Sequence, residues 1–136
     1  MELTLDRFKS AQESSYEIAL QEIKSGRKQS HWIWFIFPQI QGLGRSPTAQ
    51  YYEIQSKAEA VAYWNDSVLR SHLTEISREL LKLDDDIDHI MGWPDNLKLR
   101  SCMTLFWLVT GEQLFKDVLD RFYAGSLDAY TEQKLR

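Results

Sequence analysis

The chain has 136 residues, a length that fits one domain spanning residues 1–136. Hydrophobic residues make up 43% and charged residues 26%, a balance that excludes a disordered chain and favours a protein with a real core. The net charge of −4 at pH 7 excludes a broad surface for nucleic-acid backbones, although a local pocket for a small anion remains compatible with it.

Cysteine usage and hydropathy indicate the compartment. Cys102 is the only cysteine, so no intrachain disulfide can form and a reducing environment fits best. The longest uninterrupted apolar run, Trp32 to Phe37, is far shorter than a membrane span. We therefore expect a cytoplasmic protein without membrane contact. The three histidines lack metal-ligand spacing, and the sequence indicates neither a metal site nor a cofactor.

The first element in chain order is an amphipathic helix. Apolar residues at helical spacing predict a helix from Leu5 to Ser25, with Thr4 as its N-cap. Gly26 is typical of a helix C-terminus, and the cations Arg27 and Lys28 follow it, near the negative end of the helix dipole.

An aromatic block, Trp32 to Phe37, comes next. Its aromatic and β-branched residues favour a strand, whereas Ser30 as an N-cap and Pro38 as a stop favour a short buried helix. We favour the helix, because the surrounding segments are mostly helical.

A loop from Gln39 to Arg45 follows the aromatic block. Ser46 as N-cap and Pro47 at the first helical position then predict a helix that reaches Ile54. A second start signal, the capping box Ser56-x-x-Glu59, predicts a short helix that ends at Trp64.

The remaining chain is also helical in pattern. We expect a helix over Leu69–Leu83 after a cap within Asn65–Ser67, and a central helix over Asn96–Val109 capped by Asp95. A further helix follows the capping-box pattern Thr110–Gln113, and Asp128 caps a last turn. The predicted fold is all-α, a compact single-domain bundle of about seven helices, several of them short.

The loop Gly42-Leu43-Gly44-Arg45-Ser46 is the best candidate for a site. Two glycines let the backbone approach a ligand closely, and the helix that follows presents free N–H groups. Arg45 adds a bidentate donor for phosphate or carboxylate. The pattern is neither a Walker loop nor a dinucleotide fingerprint. The alternative is a tight loop whose glycines only turn the chain.

Other polar residues around the aromatic block extend this hypothesis. Arg27, Lys28 and His31 form a basic cluster that joins the anion site if the first two helices pack together; a solvated turn is the alternative. His31 suits acid or base chemistry near neutral pH. Gln39 and Gln41, next to the glycine loop, suit contacts to a base or ribose. Lys98, on a largely apolar helix, requires a partner.

Several motifs together resemble one family. They are Arg27-Lys28 ahead of His31-Trp32-Ile33-Trp34-Phe35-Ile36-Phe37-Pro38-Gln39, Gly42-Leu43-Gly44-x-Ser46, Glu59-Ala60-x-Ala62-Tyr63, and Pro94-Asp95-x-x-Lys98-Leu99 with Met103-Thr104-Leu105-Phe106. The family is an uncharacterised domain-of-unknown-function family of small, mainly α-helical proteins, some of which are labelled calpastatin on poor grounds. This resemblance covers nearly the whole chain and implies an all-α fold, but it assigns no catalytic residue.

A second likeness is local. Ser46-x-x-Ala49-Gln50-Tyr51-Tyr52-Glu53 looks like a motif of the YbiA-like NADAR proteins, which act on ADP-ribose derivatives. It spans about one helix and favours a nucleotide-type ligand over other ligands.

Two hypotheses follow. The first is a protein that binds a phosphate-bearing small molecule, a nucleotide or ADP-ribose derivative, at the Gly42–Ser46 loop. For an enzyme of this kind, hydrolysis of an N-glycosidic bond is the reaction to test, with His31, Glu53 or Asp95 as acid or base. The second is an interaction or adaptor module without a small ligand.

Overall fold

The structure, a computed structural model that describes residues 4–136, confirms the all-α prediction. Nine helices are present in this part of the chain, and four of them have six residues or fewer. They are α1 (Asp6–Lys24), α2 (Ile33–Ile36), α3 (Pro47–Tyr52), α4 (Lys57–Asn65), α5 (Ser67–Leu81), α6 (Ile87–Met91), α7 (Asp95–Thr110), α8 (Gln113–Tyr123) and α9 (Ala129–Lys134).

Helix α7 is the centre of the bundle, as its apolar sequence predicts. Its segment 101–106 is completely buried, and the helix packs against α4, α8 and α9. The Phe106 ring lies 5.3 Å from the ring of Tyr63 in α4 and 5.9 Å from that of Phe115 in α8. On the other side of the bundle, α1 packs against α5 and α2.

The aromatic block is helical, but its helix is shorter than the block. Helix α2 begins at Ile33, after Trp32 as N-cap, so the expected cap at Ser30 is wrong. The Ser30 hydroxyl instead donates to the Glu22 carboxylate of α1 at 2.5 Å. The buried Trp32 donates through Nε1 to the same carboxylate at 2.9 Å. Glu22 therefore anchors the aromatic block on the first helix.

These hydrogen bonds change the acidity of Glu22. Its partial burial opposes ionisation, but donors from Ser30, Gln29 and Trp32 outweigh that effect and lower the pKa of the carboxyl to about 2, from 4.5. The ionised form is thus the one that the folded chain stabilises.

The start signals at Ser46 and Ser56 are confirmed. The Ser46 hydroxyl accepts from Ala49 N at 3.1 Å, with Pro47 at the first helical position, and the Ser56 hydroxyl accepts from Glu59 N at 3.1 Å. Three other expected caps are wrong. Thr4 precedes the actual N-cap of α1, Asp95 lies inside α7 rather than capping it, and Thr110 makes no cap for α8, which has Glu112 as its N-cap.

Helix α3 ends at Tyr52, two residues earlier than predicted, because Ile54 pairs with another segment. Ile54 forms a parallel β-bridge with Ile40. Ile54 N donates to Gln39 O and Gln41 N donates to Ile54 O, both at 2.8 Å. These two bonds hold the start of the glycine loop against the residues that follow α3.

Arg7 of α1 holds the same segment from inside the protein. Its buried guanidinium donates from Nε to Tyr51 O at 2.8 Å and from Nη2 to Glu53 O at 2.7 Å. Both Nη atoms also donate to the Glu59 carboxylate, at 3.1 and 2.7 Å. Arg7 therefore connects α1 to the end of α3 and the start of α4.

Replacing Arg7 with alanine is expected to lower the free energy of unfolding by about 3–5 kcal/mol, because it removes the cation paired with Glu59 and one donor from each of two carbonyls. Urea unfolding measures this. The matched control is Lys9→Ala in the same helix, whose side chain is 42% exposed and pairs with Asp66; it should cost under about 1 kcal/mol. Equal losses in the two variants would contradict the role given to Arg7.

Glu22 predicts a pH dependence of stability. A depressed pKa in the folded chain adds stability above the ordinary value of 4.5, and this contribution is lost as pH falls from there towards about 2. The stability advantage of the natural protein over Glu22→Gln should therefore be full at pH 7 and shrink between pH 4.5 and 2. Urea unfolding across this range measures it, with Glu13→Gln as a control for one lost charge on α1. A difference that stays constant with pH would disprove the assignment.

Candidate functional site

A cleft of about 340 Å³ lies between the glycine loop and the segment that ends α3. Its volume is near the lower end of the range for small-molecule sites, roughly 300–1,000 Å³. Its lining residues are Gln41, Gly42, Gly44, Gln50, Glu53 and Gln55. The cleft therefore combines one carboxylate with three amide side chains and two glycines.

Among residues 4–136, Glu53 is the only charged residue that lines this cleft, and only 4% of it is exposed. Its Oε2 accepts the N–H of Gly42. Its Oε1 has no hydrogen-bond partner within residues 4–136, so it is the oxygen available to a bound molecule. The Glu53 carbonyl is held by Arg7 Nη2 at 2.7 Å and by Gln55 Nε2 at 2.9 Å. The carboxylate can accept a hydroxyl or N–H group, or take up a proton.

Both cleft glycines occupy positions where a side chain would not fit. Gly42 has φ +108°, and a Cβ at this residue would collide with the hydroxyl of Tyr130. A Cβ at Gly44 would lie 2.5 Å from the Cβ of Ala49. The glycines thus serve tight packing, and the same packing forms one wall of the cleft.

The loop beyond Gly42 contains backbone donors that have no partner within residues 4–136. Among the hydrogen bonds of residues 4–136, none uses the backbone N–H of Leu43, Gly44, Arg45 or Ser46. The Arg45 side chain is exposed and follows Gly44, which lines the cleft. Ser46 is a cap, and its hydroxyl oxygen already accepts from Ala49 N. Within residues 4–136, four backbone amides and one guanidinium of this stretch therefore have no protein partner, and groups of this kind can bind an anion.

Two of the other predicted cations, Lys28 and Lys98, lie in a separate cluster at the start of α7. Lys28 is 7% exposed at its side chain, and its Nζ lies 2.7 Å from Asp95 Oδ2 and 2.5 Å from Ser30 O. Lys98 Nζ lies 3.7 Å from Asp95 Oδ1 and 5.4 Å from the centre of the Trp34 ring. Asp95 is thus the partner that the apolar surroundings of Lys98 require, and its single carboxylate pairs with both lysines.

Arg27, His31 and Gln39 belong neither to the Asp95 cluster nor to the lining of the cleft. Arg27 and His31 are exposed on the turn between α1 and α2, and within residues 4–136 no side-chain hydrogen bond or ion pair joins them to the loop. Gln39 is buried, with its backbone in the bridge to Ile54. The structure therefore brings Gly42, Gly44 and Glu53 together in one cleft, with Arg45 and Ser46 next to Gly44 along the chain, but not the basic cluster.

Two lining residues, Gln50 and Gln55, were absent from the sequence-based site. Gln50 stands three residues before Glu53, and on the helix predicted to reach Ile54 this spacing makes the two side chains neighbours. The sequence therefore did indicate that Gln50 lies near Glu53. Tyr130, which contacts Gly42, lies 89 residues from Gln41 and gave no signal in the sequence.

Residues 4–136 contain neither a cluster of metal-ligating side chains nor a helix able to cross a membrane. Across residues 4–136, no group of three or more His, Cys, Asp or Glu side chains is arranged to hold a metal ion. In the same range, no helix has both the length and the apolar character that crossing a membrane requires.

Comparison with known proteins identifies relatives of the chain. The family described as "Protein of unknown function (DUF1810)" matches residues 2–135. Among solved structures, the chain is similar to the conserved hypothetical protein Rv1873 from Mycobacterium tuberculosis, with 41% identity over 96% of this chain and 95% of that chain, and a TM-score of 0.94. No curated protein matches it. The resemblance to an uncharacterised helical family is thus confirmed, and the chain belongs to the DUF1810 family.

Proposed function

We propose that this protein binds a small phosphate-bearing molecule, a nucleotide or an ADP-ribose derivative, in the Glu53 cleft. The sugar hydroxyls contact Glu53, and the phosphate lies at the rim formed by Leu43–Ser46. The observation that carries the proposal is the buried Glu53 carboxylate, which has one oxygen fixed by Gly42 and the other available in a polar cleft.

The part of the cleft formed by Glu53, Gln50 and Gln55, here called its floor, suits a group rich in hydrogen-bond donors. A carboxylate oxygen accepts hydroxyl groups in short, charge-assisted bonds. The side-chain amides of Gln50 and Gln55 add both donors and acceptors beside it. Adjacent hydroxyls of a ribose, or the N–H edge of a base, have the matching chemistry.

The rim suits the anionic part of the same molecule. The backbone N–H groups of Leu43 to Ser46 are without protein partners in the described residues, and Arg45 supplies a planar pair of donors. Glu53 repels a phosphate from the floor, whereas the rim attracts it. This charge separation would orient a ligand with its sugar inward and its phosphate outward.

The local likeness to NADAR proteins points in the same direction. Gln50 and Glu53, two of the residues that carry this likeness, both line the cleft. The likeness therefore coincides with the site at the level of individual residues and supports an ADP-ribose derivative as the ligand class.

We further propose that Glu53 serves the hydrolysis of an N-glycosidic bond. Of the three candidate acids, only Glu53 lines the cleft; Asp95 is paired with two lysines, and His31 lies on the exposed turn. Glu53 takes a proton from water as the water oxygen bonds to the anomeric carbon. The bond from that carbon to nitrogen breaks and its electron pair stays with the nitrogen. A base bound as a neutral N-glycoside then takes up the proton, whereas the nicotinamide of NAD leaves as a neutral molecule and the proton goes to solvent.

Ligand binding is tested by thermal unfolding with ADP-ribose, NAD and AMP. At a hundredfold excess over Kd, the proposal predicts a stabilisation of roughly 2–3 kcal/mol by at least one of them. Arg45→Ala should remove most of this effect without changing the unliganded stability, because its side chain is exposed. Arg27→Ala, an exposed arginine outside the cleft, is the matched control and should retain it. If no ligand stabilises the protein, the cleft is not a nucleotide site.

Hydrolysis is tested by incubating the protein with NAD and measuring free nicotinamide by chromatography. Glu53→Gln keeps the shape and the acceptor for Gly42 N–H but removes the proton acceptor, so turnover should fall by about 10²–10⁴-fold while ADP-ribose still binds. A Glu53→Gln variant with full turnover would assign the chemistry to another group. The matched control is Glu13→Gln, an exposed carboxylate on α1, which should keep full turnover.

An interaction module is the second candidate function. Trp93 is 78% exposed, and Leu97, one turn further along, is 43% exposed, so the start of α7 carries an apolar surface. The two functions separate in the binding test above: Trp93→Ala should leave a nucleotide-dependent stabilisation unchanged, since Trp93 does not line the cleft.

A further inference from the structure

One peptide group beside the cleft is held on both of its sides. The carbonyl of the Gln41–Gly42 peptide accepts the hydroxyl of Tyr130 at 3.0 Å, and the N–H of the same peptide donates to Glu53 Oε2. The peptide therefore forms a direct connection between the last helix and the carboxylate of the proposed site.

Helix α9, which carries Tyr130, is itself fixed to the core. Its N-cap Asp128 accepts from Thr131 N at 3.0 Å, and Asp128 N donates to the hydroxyl oxygen of Thr104 in α7 at 2.9 Å. Thr104 and Thr131 are completely buried. Tyr130 thus belongs to a helix that is hydrogen-bonded to the core, although its own side chain lies at the surface.

Gly42 matches this arrangement. A Cβ at Gly42 would meet the Tyr130 hydroxyl, and the φ of +108° disfavours any other residue. Because Gly42 has no side chain, the Tyr130 hydroxyl can come close enough to donate to Gln41 O. In the same arrangement the Gly42 N–H donates to Glu53.

We infer that Tyr130 is a positioning residue of the Glu53 site, an inference that rests on the proposed function. By donating to Gln41 O, the tyrosine fixes the peptide plane and polarises it, which makes Gly42 N–H a stronger donor to Glu53. Glu53 Oε2 is held in this way, and Oε1 is left to contact the ligand. The last helix of the chain thereby completes a cleft whose lining residues lie between Gln41 and Gln55.

The inference is tested without a ligand by NMR, through the ¹H–¹⁵N signal of Gly42. Loss of the hydroxyl in Tyr130→Phe should weaken the Gly42–Glu53 hydrogen bond and move the Gly42 amide proton upfield, while core signals stay in place. The matched control is Tyr123→Phe, because the Tyr123 hydroxyl donates to a different backbone carbonyl, that of Asn96, at 2.6 Å. An unchanged Gly42 signal in Tyr130→Phe, or an equal change in Tyr123→Phe, would overturn the inference.

A second variant separates a specific effect from a general loosening of the loop. In Glu53→Gln the acceptor is neutral, so adding Tyr130→Phe should move the Gly42 signal less than it does in the natural background. Equal shifts in both backgrounds would mean that Tyr130 affects the loop independently of Glu53, against the inference.

Binding of ADP-ribose supplies the functional measurement. If the natural protein binds it, Tyr130→Phe should weaken binding by roughly 3- to 10-fold, the effect of one lost hydrogen bond, and Tyr123→Phe should not. Absence of binding by the natural protein would reject the proposed ligand, while the Gly42 signal still decides the role of Tyr130. Binding that persists unchanged in Tyr130→Phe would reject the positioning role alone.

Discussion

The Arg7 guanidinium is the interaction on which the arrangement around the cleft depends. It satisfies the carbonyls of Tyr51 and Glu53, at and just beyond the end of α3, where helix geometry provides no donor. It also pairs with Glu59, which in turn accepts the backbone N–H of Gln55 at 2.9 Å. One buried cation therefore sets the path of the chain from α3 to α4 and, with it, the position of Glu53.

The cleft is then built by two further constraints on the same short segment. The bridge between Ile40 and Ile54 brings the glycine loop alongside Glu53. The Gln41–Gly42 peptide, held between Tyr130 and Glu53, fixes the carboxylate itself. A carboxylate with so few degrees of freedom has already lost the conformational entropy that binding would otherwise remove. This is the physical reason for placing a ligand here.

Sequence patterns predicted the features that depend on neighbouring residues. Ser46 and Ser56 cap their helices as expected, since a hydroxyl three residues before a free N–H reaches it locally. Ser30 and Asp95 fail as caps because distant partners compete for them: Ser30 donates to Glu22, and Asp95 pairs with Lys28. A cap pattern does not encode such long-range partners.

The candidate site also contains some residues that the local sequence identifies and one that only the folded chain brings near. Gly42, Gly44 and Glu53 were identifiable as candidates because they lie within one short stretch of sequence. The grouping of Lys28 with that stretch remains a prediction, and the structure gives Lys28 a partner in α7 instead. Tyr130 was beyond sequence reasoning, because its contact with Gln41 depends on how α9 packs against α7.

The most direct test of the Glu53 cleft as a nucleotide site is a crystal structure of the protein with ADP-ribose. We expect a ribose hydroxyl within hydrogen-bond distance of Glu53 Oε1 and a phosphate in contact with Arg45 and the amides of Leu43 to Ser46. Ligand bound elsewhere, or an empty cleft at a concentration that saturates binding in solution, would contradict it.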